Sequence, residues 1–205
     1  MLIMARNQNK IYAWTKHRIH GMIVCDGRTC NSYTVEDKKF LRERMFNMTN
    51  LELKKHANDV RKGIIEGVHS AKAGHPGGSL FAADVFTFLY FEQMNIDPAN
   101  PEMENRDCFV LSKGHTAPGL YAALAYRGFF PVEDLTTLRK LGSYLQGHPN
   151  LHIPGVDMAS GSLGQGISAA VGMALGAKMQ NKDFRVYTLL GDGKIEEELA
   201  KEVDA

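Results

Sequence analysis

Cys108-Phe109-Val110-Leu111-Ser112-Lys113-Gly114-His115 is the stretch on which the fold turns. Its short apolar run reads as a buried strand, and the turn that leaves it ends in histidine. A second stretch has the same form: Val186-Tyr187-Thr188-Leu189-Leu190 followed by Gly191-Asp192-Gly193. Helical segments lie between them. Pro118 to Tyr126 is opened by proline in its first turn. Residues 131 to 140 form a shorter helix, with Pro131 near its start. Gly164 to Met179 is a helix rich in small residues (Gly166, Ser168, Ala169, Ala170, Gly172), which let another backbone come close. Strands separated by helices predict a parallel α/β sheet. In such sheets ligands sit outside the carboxyl ends of the strands. His115 and Asp192 both fall there.

Working upstream, Thr49-Asn50-Leu51-Glu52 has the form of a capping box. A helix follows, with Leu53, Ala57, Val60, Ile64, Ile65 and Val68 at helical spacing, ending near Gly74. Gly74-His75-Pro76-Gly77-Gly78 is a loop, and Ser79 is expected to cap a second helix from Leu80 to about Phe91. That helix is apolar nearly all round and so expected to be buried. Residues 95–101, with two prolines and two asparagines, form a connection. Residues 142–161, rich in Gly, Pro and His, form a long loop of functional character. Residues 195–203 have helical character. Residues 1–47 carry no clear period.

Composition excludes several classes. Of 205 residues, 44% are hydrophobic and 23% charged, as in ordinary globular proteins, and the net charge of +1 gives no reason to expect nucleic acid or an anionic membrane as partner. No apolar run reaches the roughly 18 residues of a membrane helix. The N-terminus lacks the apolar core of a secretory signal. Cys25, Cys30 and Cys108 are too few for a disulfide framework and fit a reducing compartment. Zinc at Cys25 and Cys30 is disfavoured, because no second pair stands at ligand spacing.

Three histidines share one context: His75, His115 and His148 each sit in a Gly-rich loop, whereas His56, His69 and His152 do not. A single loop histidine is usually without a role. Three of them suggest hydrogen bonding to sugar hydroxyls and proton transfer near neutral pH. His75 and His148 each precede proline, which biases them toward an extended backbone. Gly161-Ser162-Leu163-Gly164-Gln165-Gly166 opens a helix whose free amides suit a diphosphate. Its spacing matches neither a Walker loop nor a dinucleotide fingerprint. Asp192 between glycines is a hard oxygen ligand suited to Mg²⁺ or Ca²⁺ beside a phosphate, or else simply part of a tight turn.

Taken together, Ala73-Gly-His-Pro-Gly-Gly78, Phe109 to His115, Gln146-Gly-His-Pro149, Gly161 to Gly172 and Gly191-Asp-Gly193 resemble transketolase, in family order and with family-like gaps. The resemblance runs from about Met48 to about Glu197. It implies a three-layer parallel sheet flanked by helices, the thiamine diphosphate-binding fold. It also implies transfer of a two-carbon ketol unit between sugar phosphates. By motif, Asp192 would ligate Mg²⁺ (or Ca²⁺) between Gly191 and Gly193. Gly161, Leu163 and Gly164 would line the cofactor. His75 and His115 would contact the diphosphate or substrate, and His148 the substrate hydroxyl or developing alkoxide. Glu197 matches a glutamate linking the two cofactor sites. A pyrimidine-binding half, on a C-terminal subunit or domain, a homodimer and a cytoplasmic location are further implications.

Two sister families, deoxyxylulose-phosphate synthase and dihydroxyacetone synthase, share much of this pattern. The Gln146-to-Pro149 and Gly161-to-Gly172 pair favours transketolase over the former. The resemblance fades at both ends. Residues 1–47 are an extension without family counterpart, for which disorder is an allowed reading, and 48–205 a partial cofactor domain. Glu196-Glu197-Glu198-Leu199 departs from the family Glu-Gly-Gln after Glu197. The asparagine expected as second metal ligand lies about 30 residues beyond Asp192 in family members. The expectation is therefore a fold incomplete at its C-terminus, a native start near Met48 and an open edge at Val186–Leu190. The competing expectation is an inactive fragment or partner-binding module.

Overall fold

Among the described residues six strands form one sheet, in the order β4-β3-β2-β1-β6-β5. β1 is Leu2–Asn7, β2 Lys10–Thr15, β3 Ile23–Cys25 and β4 Cys30–Ser32. β5 is Cys108–Leu111 and β6 Val186–Leu190. The structure is a computed structural model that describes residues 2–7, 10–15, 23–25, 30–32 and 48–191, the first four of these segments by their backbone. Two units divide the chain: Met1–Phe46 with Asp107–Lys113 and Ser162–Ala205, and Asn47–Arg106 with Gly114–Gly161.

In the sheet unit, β5 and β6 run parallel, with Cys108 opposite Val186 and Leu111 opposite Leu189. All five residues of β6 are buried, as expected of a mainly apolar run in a parallel sheet. The one polar member, Thr188, donates its hydroxyl to the Val110 carbonyl at 3.0 Å, which removes the penalty of burying it. Asp107 receives the Arg185 amide at 2.7 Å and so ties the start of β5 to that of β6. Helix α4, Gln165–Met179, lies against both strands. A Cβ on Gly166 would come within 2.7 Å of the Ser112 Cα. That is the close backbone approach expected of this helix. β1 pairs antiparallel along the other side of β6, Leu2 opposite Leu190. The expected open edge is therefore occupied, and β1 to β4 add an antiparallel half to the parallel pair.

The second unit is helical. α1 is Asn50–Ala71, α2 Pro76–Phe88 and α3 Ala117–Arg127, and the three pack on one another. Ala57, Val60 and Ile64 of α1, Phe86 of α2, and Leu120, Tyr121 and Leu124 of α3 form the core. Ile65 faces solvent instead, and Gly63 and Gly67 complete the buried stripe of α1. The capping box is present in full: Glu52 N–H donates to the Thr49 hydroxyl at 3.3 Å, and the Thr49 amide donates to the Glu52 carboxylate at 2.7 Å. α1 stops at Ala71, where Lys72 takes a left-handed conformation.

α2 begins earlier than expected. Pro76 is its first residue and His75 its N-cap, while Ser79 is inside the helix and fully buried. Proline has no N–H, so it loses nothing in a first turn whose donors lack partners anyway. A π turn, Leu89–Gln93, closes the helix. Residues 132–137 form a 3₁₀ turn within the expected short helix.

Candidate active site

Three loops of the helical unit meet at the 3₁₀ turn Gly114–Thr116. His115 is half-buried there, and the His75 ring stands edge-on to it with centroids 5.0 Å apart. No side-chain cap bond engages the His75 imidazole at the start of α2. His148 reaches the same turn from the long loop. A Cβ on Gly114 would lie 2.9 Å from the His148 Cδ2, 2.7 Å from the Ser160 carbonyl oxygen and 3.0 Å from the Ser160 hydroxyl. Glycine at 114 is thus what lets the His148 ring and Ser160 close on the turn.

His148 projects into solvent while the adjoining Pro149 is buried, so the proline anchors the segment and the imidazole stays accessible. The loop behind it is well tied. The Tyr144 hydroxyl donates to Asp134 at 2.6 Å, the Arg139 amide donates to the Leu145 carbonyl at 2.8 Å, and the Thr137 and Ser143 hydroxyls stand 2.7 Å apart. Burial and the bond to Asp134 push the Tyr144 phenol well above its ordinary pKa. Tyr121, fully buried in α3, places its hydroxyl 3.0 Å from the Gln146 carbonyl and 2.9 Å from that of His148. Arg106 and Asp157 form an ion pair within this unit, and the Asp157 side chain is only 3% exposed.

In the sheet unit, Gly164 is the N-cap of α4, with φ of 86°, a left-handed conformation that favours glycine. The N-cap glycine has no side chain to cap the first amides of this helix, a terminus of the kind that favours an anion. Leu163 is 44% exposed, and at the end of the helical unit a Cβ on Gly161 would meet nothing within 4 Å. The Ser112 hydroxyl in this unit and the Ser160 hydroxyl in the other are buried without a hydrogen-bond partner among the described residues. Gly191 is half-buried just past β6, whereas Asp192, Gly193 and Glu197 lie outside the described residues. Among the described residues no group of three or more His, Cys, Asp or Glu could hold a metal ion.

Of the histidines without this context, His56 stacks on Phe91 at 4.4 Å, a packing role, and His69 and His152 are exposed. Tyr121, Arg139 and Ser160 escaped the sequence reading. Tyr121 looks like any core aromatic of an apolar helix, and its bonds to residues 25 and 27 positions away have no local signature.

The fold places the chain among α/β proteins whose parallel strands are joined through helices. A family description, "Transketolase, thiamine diphosphate binding domain", matches residues 53–205. The chain belongs to this family. It is 48% identical over 148 residues to the 6-deoxy-6-sulfo-D-fructose transketolase subunit SqwG of Clostridium sp. (strain MSTE9), covering 72% of this chain and 54% of that one. It is 46% identical over 144 residues to an apulose-4-phosphate transketolase subunit of Phocaeicola vulgatus, covering 70% and 50%. Among solved structures, transketolase from Campylobacter jejuni superposes with a TM-score of 0.68 at 38% identity, covering 74% of this chain and 25% of that one. The chain thus spans about half the length of the subunit-type relatives it matches.

Proposed function

We propose that this chain provides the diphosphate-binding part of a transketolase, a transferase that moves a two-carbon ketol unit between sugar phosphates. The observation that carries the reading is the meeting of His75, His115 and His148 at one turn, with the orphaned Ser160 hydroxyl beside them. When bound, thiamine diphosphate supplies the carbanion-stabilising chemistry. The chain's residues bind and orient. The amides at the start of α4 after Gly164 would receive the diphosphate, and Gly161 and Leu163 would line the cofactor. His75 and His115 donate to the diphosphate or to substrate. His148 exchanges a proton with a substrate hydroxyl, as an accessible imidazole can near neutral pH. Asp192, flanked by Gly191 and Gly193, holds Mg²⁺ or Ca²⁺, and Glu197 joins the network between paired sites.

The relatives named as subunits support a partner chain carrying the pyrimidine-binding half, and family likeness supports a homodimer. No helix among the described residues is long and apolar enough to cross a membrane. The near-neutral charge and sparse cysteines favour a cytoplasmic enzyme without nucleic-acid or membrane partners. The test is calorimetric titration with thiamine diphosphate and Mg²⁺, alone and with a transketolase C-terminal subunit. Metal-dependent binding abolished by Asp192→Ala is expected. A folded chain that binds in neither case would instead be an inactive or purely partner-binding module.

A further inference from the structure

We propose that Tyr121 is the positioning residue for His148: its hydroxyl grips the carbonyls on either side of Gly147 and fixes the main chain from which the imidazole projects. The inference rests on the reading of His148 as a group that faces substrate. Tyr121 is fully buried on α3, so its ring is held by packing and its hydroxyl has a fixed direction. That hydroxyl lies 3.0 Å from the Gln146 carbonyl oxygen and 2.9 Å from the His148 carbonyl oxygen, one proton shared between two acceptors. Burial raises the phenol pKa far above its ordinary value, with the Arg139 charge acting the other way, so the donor keeps its proton at any working pH.

Arg139 confines the segment as well. A Cβ on Gly147 would lie 2.8 Å from one terminal guanidinium nitrogen of Arg139 and 2.9 Å from its Cζ and Nε. Arg139 adopts a left-handed φ of 59°, and its amide is tied to the Leu145 carbonyl, so its backbone is constrained where it meets the loop. Gly147 therefore lies between a buried phenol that holds its flanking carbonyls and a guanidinium set against its α-carbon. A tyrosine that served only as core filler would need its ring and not its hydroxyl, since phenylalanine fills the same space.

Hydrogen-exchange NMR on the full chain separates the two roles, with Tyr121→Phe set beside Leu120→Val, which trims the neighbouring core residue. If Tyr121 positions His148, Tyr121→Phe speeds exchange of the Arg139 and Gln146 amides, which donate to the Leu145 and Tyr144 carbonyls, at least tenfold and shifts the His148 Cε1–H resonance. Protection in β5 and β6 stays unchanged, and Leu120→Val reproduces neither loop effect. The proposal is overturned if the loop signals are unmoved by Tyr121→Phe, or if both variants move them equally. Ketol transfer by the chain with a C-terminal subunit reads the functional assignment separately. Full activity of His148→Ala would sink the role of His148, while the exchange comparison still decides whether the tyrosine holds the loop.

Discussion

At Gly114, one missing methyl group admits both a histidine ring and a serine carbonyl to the same turn. The carbonyl belongs to the backbone and cannot swing aside. Gly114→Ala should destabilise the chain by roughly 1–3 kcal/mol, the range for overpacking a filled site. Urea denaturation checks this, and a change below about 0.5 kcal/mol would mean the approach is looser than it looks. Ser160→Ala should behave oppositely. The hydroxyl is buried without a partner among the described residues, so removing it forfeits no bond seen there and stability should stay within about 0.5 kcal/mol of the parent or rise. If that hydroxyl serves a bound ligand, thiamine diphosphate affinity in calorimetry should still fall several-fold. Unchanged affinity would take Ser160 out of the site.

At the scale of elements, the N-terminus of α1 is a pH-sensitive end. The Thr49 amide and hydroxyl bond the Glu52 carboxylate and hold its pKa below the ordinary glutamate range. A depressed folded-state pKa contributes stability above the unfolded value and loses it as pH falls through the folded one. Protection of the first-turn amides of α1, measured against their intrinsic exchange rates, should therefore fall as pH drops below the ordinary glutamate range, and Glu52→Gln should flatten that dependence. A first turn whose protection is indifferent to pH in both proteins would contradict the capping box. Thr49→Ala should lower stability by roughly 1 kcal/mol, readable in a thermal melt. This cap was legible because it is written in four consecutive residues. The start of α2 was not: Ser79 offered an equally local cap, and only packing showed that its hydroxyl is buried and the helix begins at Pro76.

At the scale of the whole helical unit, the Arg106–Asp157 pair joins segments 51 residues apart in sequence and is largely removed from water. Removing one partner of a buried pair leaves the other charged and desolvated. Arg106→Met should destabilise by roughly 3 kcal/mol, near the lower end for such pairs because the arginine keeps some exposure. Adding Asp157→Leu should recover most of that loss, since a matched apolar pair removes both charges. Double-mutant unfolding measurements decide it: strictly additive losses would show that the two side chains do not act as a pair.

The sequence alone determined what is local in origin: the α1 cap, the apolar runs of β5 and β6, the small residues that let α4 approach Ser112, and the three Gly-rich histidine loops. Apolar period, capping spacing and glycine placement act over a few residues, so they can be read along a line. Only the tertiary structure decided that His75, His115 and His148 share one turn, that the Ser160 hydroxyl is buried beside them, and that β1 lies along β6. It also decided that a core tyrosine reaches the backbone of the histidine loop. Those facts depend on contacts between segments tens of residues apart, whose energies are set by packing and burial and leave no mark in the spacing of neighbouring residues.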